Sequence, residues 1–150
     1  MAQETKKTNV TEKKEPAAPE KKESEKNNIQ ELMKMIKVKS EMITEKRENM
    51  RGGDGVVAIT NILEKGEYKG AARLLGTITL EPGSSIGAHV HENEEEVFYI
   101  IKGTATYNDN GETKILNEGD SCICLGGETH SIANREAEGD LVLFAAILTY

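Results

Sequence analysis

The 150-residue chain is 37% hydrophobic, with two Phe, four Tyr and no Trp, which provides for one modest core and, by length, a single domain. Fourteen glycines beside so few aromatics favour a turn-rich β protein over a helical bundle. The formal charge of −7 is unevenly borne: residues 1–34 hold eight Lys and seven Glu, a net of +1 that leaves −8 for the remaining 116, and with later Lys and Arg scattered this argues against a nucleic-acid surface.

Residues 1–28 alternate Lys, Glu, Asn, Thr and Ala around Pro16 and Pro19. Such a composition buries too little apolar surface to offset chain entropy, so residues 1–34 are predicted to be a disordered, solubilising tail ahead of a domain spanning 35–150. The first 28 residues lack the apolar core of a secretory signal, the seven Glu and no Arg of residues 1–34 speak against a mitochondrial transit peptide, and nothing approaches the ~18 apolar residues of a membrane span. No membrane association and a cytoplasmic location are therefore expected. Ile29, Leu32, Met33 and Ile36 follow the spacing of one helical face, which predicts a short amphipathic helix leading into the domain.

From Gly52 onward, short β-branched runs alternate with Gly, Asn, Asp and Pro. Strands are predicted at Val56–Leu63, Arg73–Leu80, Ile86–His91, Val97–Ile101, Thr104–Tyr107, Thr113–Leu116, Ser121–Cys124, Ser131–Ala133 and Leu141–Leu148. Turns fall at Pro82-Gly83, Lys102-Gly103, Asn110-Gly111 and Glu118-Gly119. Asn108-Asp109-Asn110-Gly111 between two alternating runs marks a hairpin, because Asn and Gly tolerate the positive φ of a tight turn. Many short antiparallel strands must close or stack to remove their edges, which points to an all-β barrel or jelly roll. Cys122 and Cys124, two apart in one strand, share a face and read as free, packed thiols.

The three histidines carry the chemical signal. His89 and His91, two apart in a strand, present both rings to one side. After a polar turn at Glu92-Asn93-Glu94-Glu95, Glu96 opens an apolar run, and a returning antiparallel strand can bring it over the two rings. His130 completes four ligands if its strand folds beside the first pair. Glu92, Glu94 and Glu95 read as a solvated turn. Phe98 and Ile100, in phase with Glu96, should point inward, whereas Tyr99 should face out. Arg73 reads either as a surface residue or as a carboxylate grip at the mouth of the site.

In these positions the chain resembles the cupin superfamily. Gly83, His89, His91, Glu96 and Gly103 match its first motif, G-x5-H-x-H-x3,4-E-x6-G, and Gly119, Gly127, His130 and Asn134 match the second, G-x5-P-x-G-x2-H-x3-N, with Leu125 at the proline position. The short segment between motifs, residues 104–118, is similar to that of small single-domain cupins of the oxalate-decarboxylase-like kind. The resemblance implies a single cupin β-barrel and one divalent transition metal on His89, His91, Glu96 and His130. Three imidazoles and one carboxylate, without thiolate, suit Mn or Fe foremost, with Zn, Ni or Co as alternatives.

The expected function is that of a metal-binding cupin, a small metalloenzyme of dioxygenase or decarboxylase type acting on a compact anion such as a dicarboxylate, keto acid or enediol. The alternatives are a non-catalytic sugar- or carboxylate-binding cupin and a sugar isomerase. Tyr107, Glu128 and Cys122 are candidates for a general acid or base beyond the ligands, and catalytic residues stay unassigned. The small-cupin resemblance and the apolar run Leu141–Leu148 lead us to expect a homodimer.

Overall fold

In the computed structural model, which describes residues 36–150, chain order runs almost entirely through strands. They are β1 (Ile43–Glu48), β2 (Val56–Asn61), β3 (Ala72–Leu80), β4 (Ser85–Val90), β5 (Glu94–Lys102), β6 (Ala105–Asp109), β7 (Glu112–Leu116), β8 (Ser121–Cys124), β9 (Thr129–Ala133) and β10 (Leu141–Thr149). The predicted tail over 1–34, and all but Ile36 of the predicted helix, lie outside the described residues. Ile36 itself is exposed, in irregular chain.

The strands form a six-stranded sheet in the order β1-β2-β3-β10-β5-β8 and a four-stranded sheet in the order β4-β9-β6-β7. Their inner faces close on one core: Ile78, Leu80, Phe98 and Leu143 come from the first sheet, and Ile86, Tyr107 and Ile132 from the second. The period-two alternation explains this directly, since β3 buries Ile78 and Leu80 and turns Thr77 and Thr79 outward. All nine predicted strands are present with ends shifted by a few residues, and the β6–β7 hairpin turns at Asn110 and Gly111, both at positive φ.

β1 has no counterpart among the predicted strands. Its sequence, Ile-Thr-Glu-Lys-Arg-Glu, is exposed along its whole length and gains strand geometry only by pairing with β2 at the sheet edge. No apolar alternation announces such a strand.

Two bulges re-aim side chains. Between β4 and β9 the register slips from Ile86↔Ile132 to His89↔His130, so Gly87 and Ala88 together occupy an extra position on β4. Ile86 and His89, which strict alternation would send to opposite faces, both turn inward as a result. On β3, consecutive residues Ile147 and Leu148 of β10 pair with Leu74 and Ala72, leaving Arg73 as the extra residue.

β10 corrects one expectation. The run Leu141–Leu148 is no surplus surface: it lies between β3 and β5 in the middle of the larger sheet, and Leu141, Leu143, Ala145, Ala146 and Ile147 are buried. Exposed apolar groups occur instead on the outer face of β5 and β8, at Tyr99 and Ile123.

Candidate metal centre

His89 and His91 project from β4, His130 from the neighbouring β9 and Glu96 from β5 of the opposite sheet. His89 and His130 are direct cross-strand partners, which places their Nε2 atoms 3.1 Å apart. His91 Nε2 lies 3.0 Å from His130 Nε2, and Glu96 Oε2 lies 3.1 Å from both. The four donor atoms fall within 4.8 Å of one another, and His91, Glu96 and His130 are buried. The four residues singled out in the sequence thus converge on one point, and they are a group of side chains that could hold a metal ion.

The outer nitrogens of the rings are fixed by other groups. His89 Nδ1 lies 2.8 Å from the Gly87 carbonyl, and His91 Nδ1 lies 2.9 Å from the Glu94 carboxylate. Both partners only accept, so both Nδ1 atoms carry a proton, and in the neutral ring each Nε2 turns a lone pair toward the centre. His130 Nδ1 meets the Tyr107 hydroxyl at 3.1 Å, and Phe98 stacks on the His130 ring at a centroid distance of 5.3 Å. Nitrogen lone pairs and a carboxylate at about 3 Å repel one another unless positive charge sits among them.

Protons alone are a poor source of that charge. Hydrogen bonding to Glu96 raises the pKa of His91, but burial pushes His130 down, and each further imidazolium opposes the next. Burial also pushes the Glu96 carboxyl up, yet hydrogen bonds from His130, His89 and His91, which the rings can donate only while protonated on Nε2, outweigh it and hold the carboxyl well below the usual carboxylate range. A three-nitrogen, one-oxygen donor set with its outer nitrogens oriented fits a divalent ion.

Glu94 requires a correction. It does not belong to a solvated turn: β5 begins at Glu94, in phase with Glu96, and its carboxylate both meets His91 and accepts from Arg73 Nε at 2.8 Å and Nη2 at 2.7 Å. The Arg73 guanidinium, joined by His91, holds the Glu94 carboxyl down at about 2. Phe98 and Ile100 point inward and Tyr99 outward, in line with their phase.

None of the three acid or base candidates faces the cavity. The Tyr107 hydroxyl serves His130, and burial raises its pKa. The Cys122 thiol is pushed by burial to about 11, and Glu128 accepts the Leu125 N–H at 2.9 Å to close a turn. Cys122 and Cys124 are free thiols. Asn134 donates to the Leu80 and Gly139 carbonyls at 3.0 and 2.9 Å, a structural tie behind the site.

A cavity of about 210 Å³ reaches the cluster. His89, His91 and Glu96 lie at its inner end, Ile59, Leu74, Ile78, Ile86 and Ile147 along its walls, and the exposed Glu45, Arg47, Arg51 and Arg73 at its mouth. Glu45, Arg47 and Arg51 escape sequence reading because they sit on and beside the unannounced β1.

Fold and site together define a small all-β barrel with a cluster of three histidines and one glutamate. Comparison with known families gives that class its name: residues 76–147 match the cupin domain model. The chain is 40% identical over 114 residues to an oxalate-binding protein of Thermotoga maritima, spanning 76% of this chain and 93% of that one. It belongs to the cupin family. A crystal structure of a predicted oxalate decarboxylase from Thermotoga maritima superposes with a TM-score of 0.73 at 40% identity, covering 77% of this chain and all of the other. An RmlC-like cupin from Shewanella frigidimarina superposes with a TM-score of 0.56, covering 78% and 92% of the two chains; at 16% identity it speaks for the fold alone. Among the described residues no helix is long and apolar enough to cross a membrane.

Proposed function

We propose that this cupin is a metal-dependent protein in which His89, His91, Glu96 and His130 hold one divalent transition metal, Mn or Fe foremost, and that it binds and acts on a compact carboxylate anion such as a dicarboxylate or 2-keto acid. The single observation that carries the reading is the convergence of three ring nitrogens and the Glu96 carboxylate, with two of the rings fixed from behind so that their lone pairs face inward. A divalent ion there would bind and polarise two oxygens of a substrate. With neutral imidazoles and one carboxylate the centre would keep a formal charge of +1, which a chelating anion neutralises.

The chain's own residues supply the rest. Glu94, the Gly87 carbonyl and Tyr107 orient the three rings, and the isoleucines along the cavity exclude water and so strengthen attraction between the centre and an anion. The relative from Thermotoga maritima, an oxalate-binding protein, supports an anionic ligand of this size. Two unpaired thiols support a reducing, cytoplasmic setting, and the exposed Tyr99 and Ile123 support pairing of two copies.

Titration calorimetry of metal-loaded and metal-stripped protein tests the reading. Oxalate or pyruvate should bind only the loaded form, with a dissociation constant in the high-micromolar range or tighter, roughly −5 to −6 kcal/mol. Binding of neutral sugars without these acids would replace it with a carbohydrate reading.

A further inference from the structure

Three of the chain's four arginines, Arg47, Arg51 and Arg73, line the cavity that leads to the histidine cluster, and no lysine does. In a chain of net charge −7 this is a selective placement of the side chain best suited to grip a carboxylate. The three are not equally available. Arg73 is taken up by two hydrogen bonds to Glu94, and Arg47 by one of 2.8 Å to Glu45. Arg51 has no acidic partner among the described residues, so its guanidinium is the uncommitted cation of the cavity.

The backbone that presents Arg51 is tightly constrained. Arg51 sits at φ 55°, ψ 30°, a left-handed conformation that costs a long side chain free energy and that Gly or Asn would adopt more readily. The turn is tied to β4, the strand that carries two of the ring ligands, and to the residue just before it: Asp54 N–H donates to Ser85 Oγ at 2.8 Å and Val56 N–H to Ser84 Oγ at 3.0 Å. Two glycines permit the close approach, since a Cβ at Gly87 would collide with the Arg51 carbonyl oxygen and one at Gly53 with that of Ser85.

The space also exceeds what a chelated two-carbon dianion needs. A single ordered water requires ~15 Å³, whereas the cavity offers about 210 Å³ between the cluster and the arginines. Oxalate chelated through both of its carboxylates would keep its two free oxygens close to the cluster and has no separate distal carboxylate to offer Arg51.

We propose that Arg51 recognises a second anionic group on the ligand, so that the cavity selects a dicarboxylic keto or hydroxy acid of about four or five carbons, one end at the histidine cluster and the other at the strained turn between β1 and β2. This rests on the metal-dependent reading above and narrows its substrate class. Arg51 is then a specificity-determining residue.

The test uses the full chain loaded with manganese and three probes: oxalate, pyruvate, and 2-oxoglutarate, which adds a distal carboxylate to the pyruvate head. The parent should bind 2-oxoglutarate about tenfold more tightly than pyruvate or better, the worth of one charge-assisted contact. Arg51→Asn, which accepts the left-handed backbone, should bring 2-oxoglutarate to the pyruvate level, leave pyruvate within about twofold, keep the metal content and not lower the melting temperature. Arg135→Asn, which removes the arginine outside the cavity, should change neither affinity. Equal binding of pyruvate and 2-oxoglutarate by the parent, or equal effects of the Arg51 and Arg135 variants, would overturn the assignment of Arg51 while leaving the anion reading intact. Failure of all three probes to bind the loaded parent would overturn the anion reading itself and the assignment with it.

Discussion

Glu94 shows how much a single carboxylate can carry beyond direct ligation. It joins Arg73 on one side to the outer nitrogen of His91 on the other, so its loss frees one ring to rotate and change tautomer without removing any of the four converging atoms. Glu94→Gln is therefore expected to weaken metal affinity by about 10- to 100-fold rather than abolish it, measured by competition with a chelator; unchanged affinity would show that the contact orients nothing. The cysteines make the opposite case, of reactive groups silenced by their surroundings. Burial pushes both thiols up to about 11, so at pH 8 only about one in a thousand is thiolate, and Cys124 is also 2% exposed. A thiol reagent at that pH should label neither in the folded protein and both after unfolding. The sign follows from the raised values: labelling should speed up as the pH climbs toward 11, and rapid native labelling at pH 8 would contradict the burial of both groups.

At the scale of the elements, the site depends on places where strand periodicity breaks. The extra position at Gly87 and Ala88 turns His89 inward, and Gly87 also gives its carbonyl to His89 and lets the Arg51 turn approach. Gly87→Ala drives a methyl group into the Arg51 backbone oxygen, which should destabilise the protein by about 1–3 kcal/mol and reduce metal uptake together, read by thermal denaturation with and without metal. A variant that melts as the parent does and loads fully would show that the close approach is unimportant. This also explains what could be read from the sequence and what could not. His89, His91, Glu96 and His130 were legible because ligand chemistry restricts residue type and spacing, and Ile78 and Phe98 because alternation marks a half-buried strand. Glu94 escapes such a reading because Glu92-Asn93-Glu94-Glu95 looks like a solvated turn as long as the start of β5 is unknown. Arg47 and Arg51 were invisible because β1 lacks any apolar period and exists only through pairing with β2.

For the whole molecule, the core runs from Val57 to Ile147 and draws no buried hydrophobic residue from before β2 among the described residues. Deleting residues 1–28 should accordingly leave the melting temperature and metal content of the remainder unchanged, and a large drop in either would show that those residues dock on the barrel. The barrel's two sheets meet where β4, β5 and β9 bring four donor atoms together, so fold and proposed function share one test. Elemental analysis of the full chain, purified after growth with supplemented manganese or iron, measures it directly. The account predicts close to one transition-metal ion per chain in the parent and an empty site in His130→Ala. No bound metal in the parent, or equal metal in parent and variant, would contradict it.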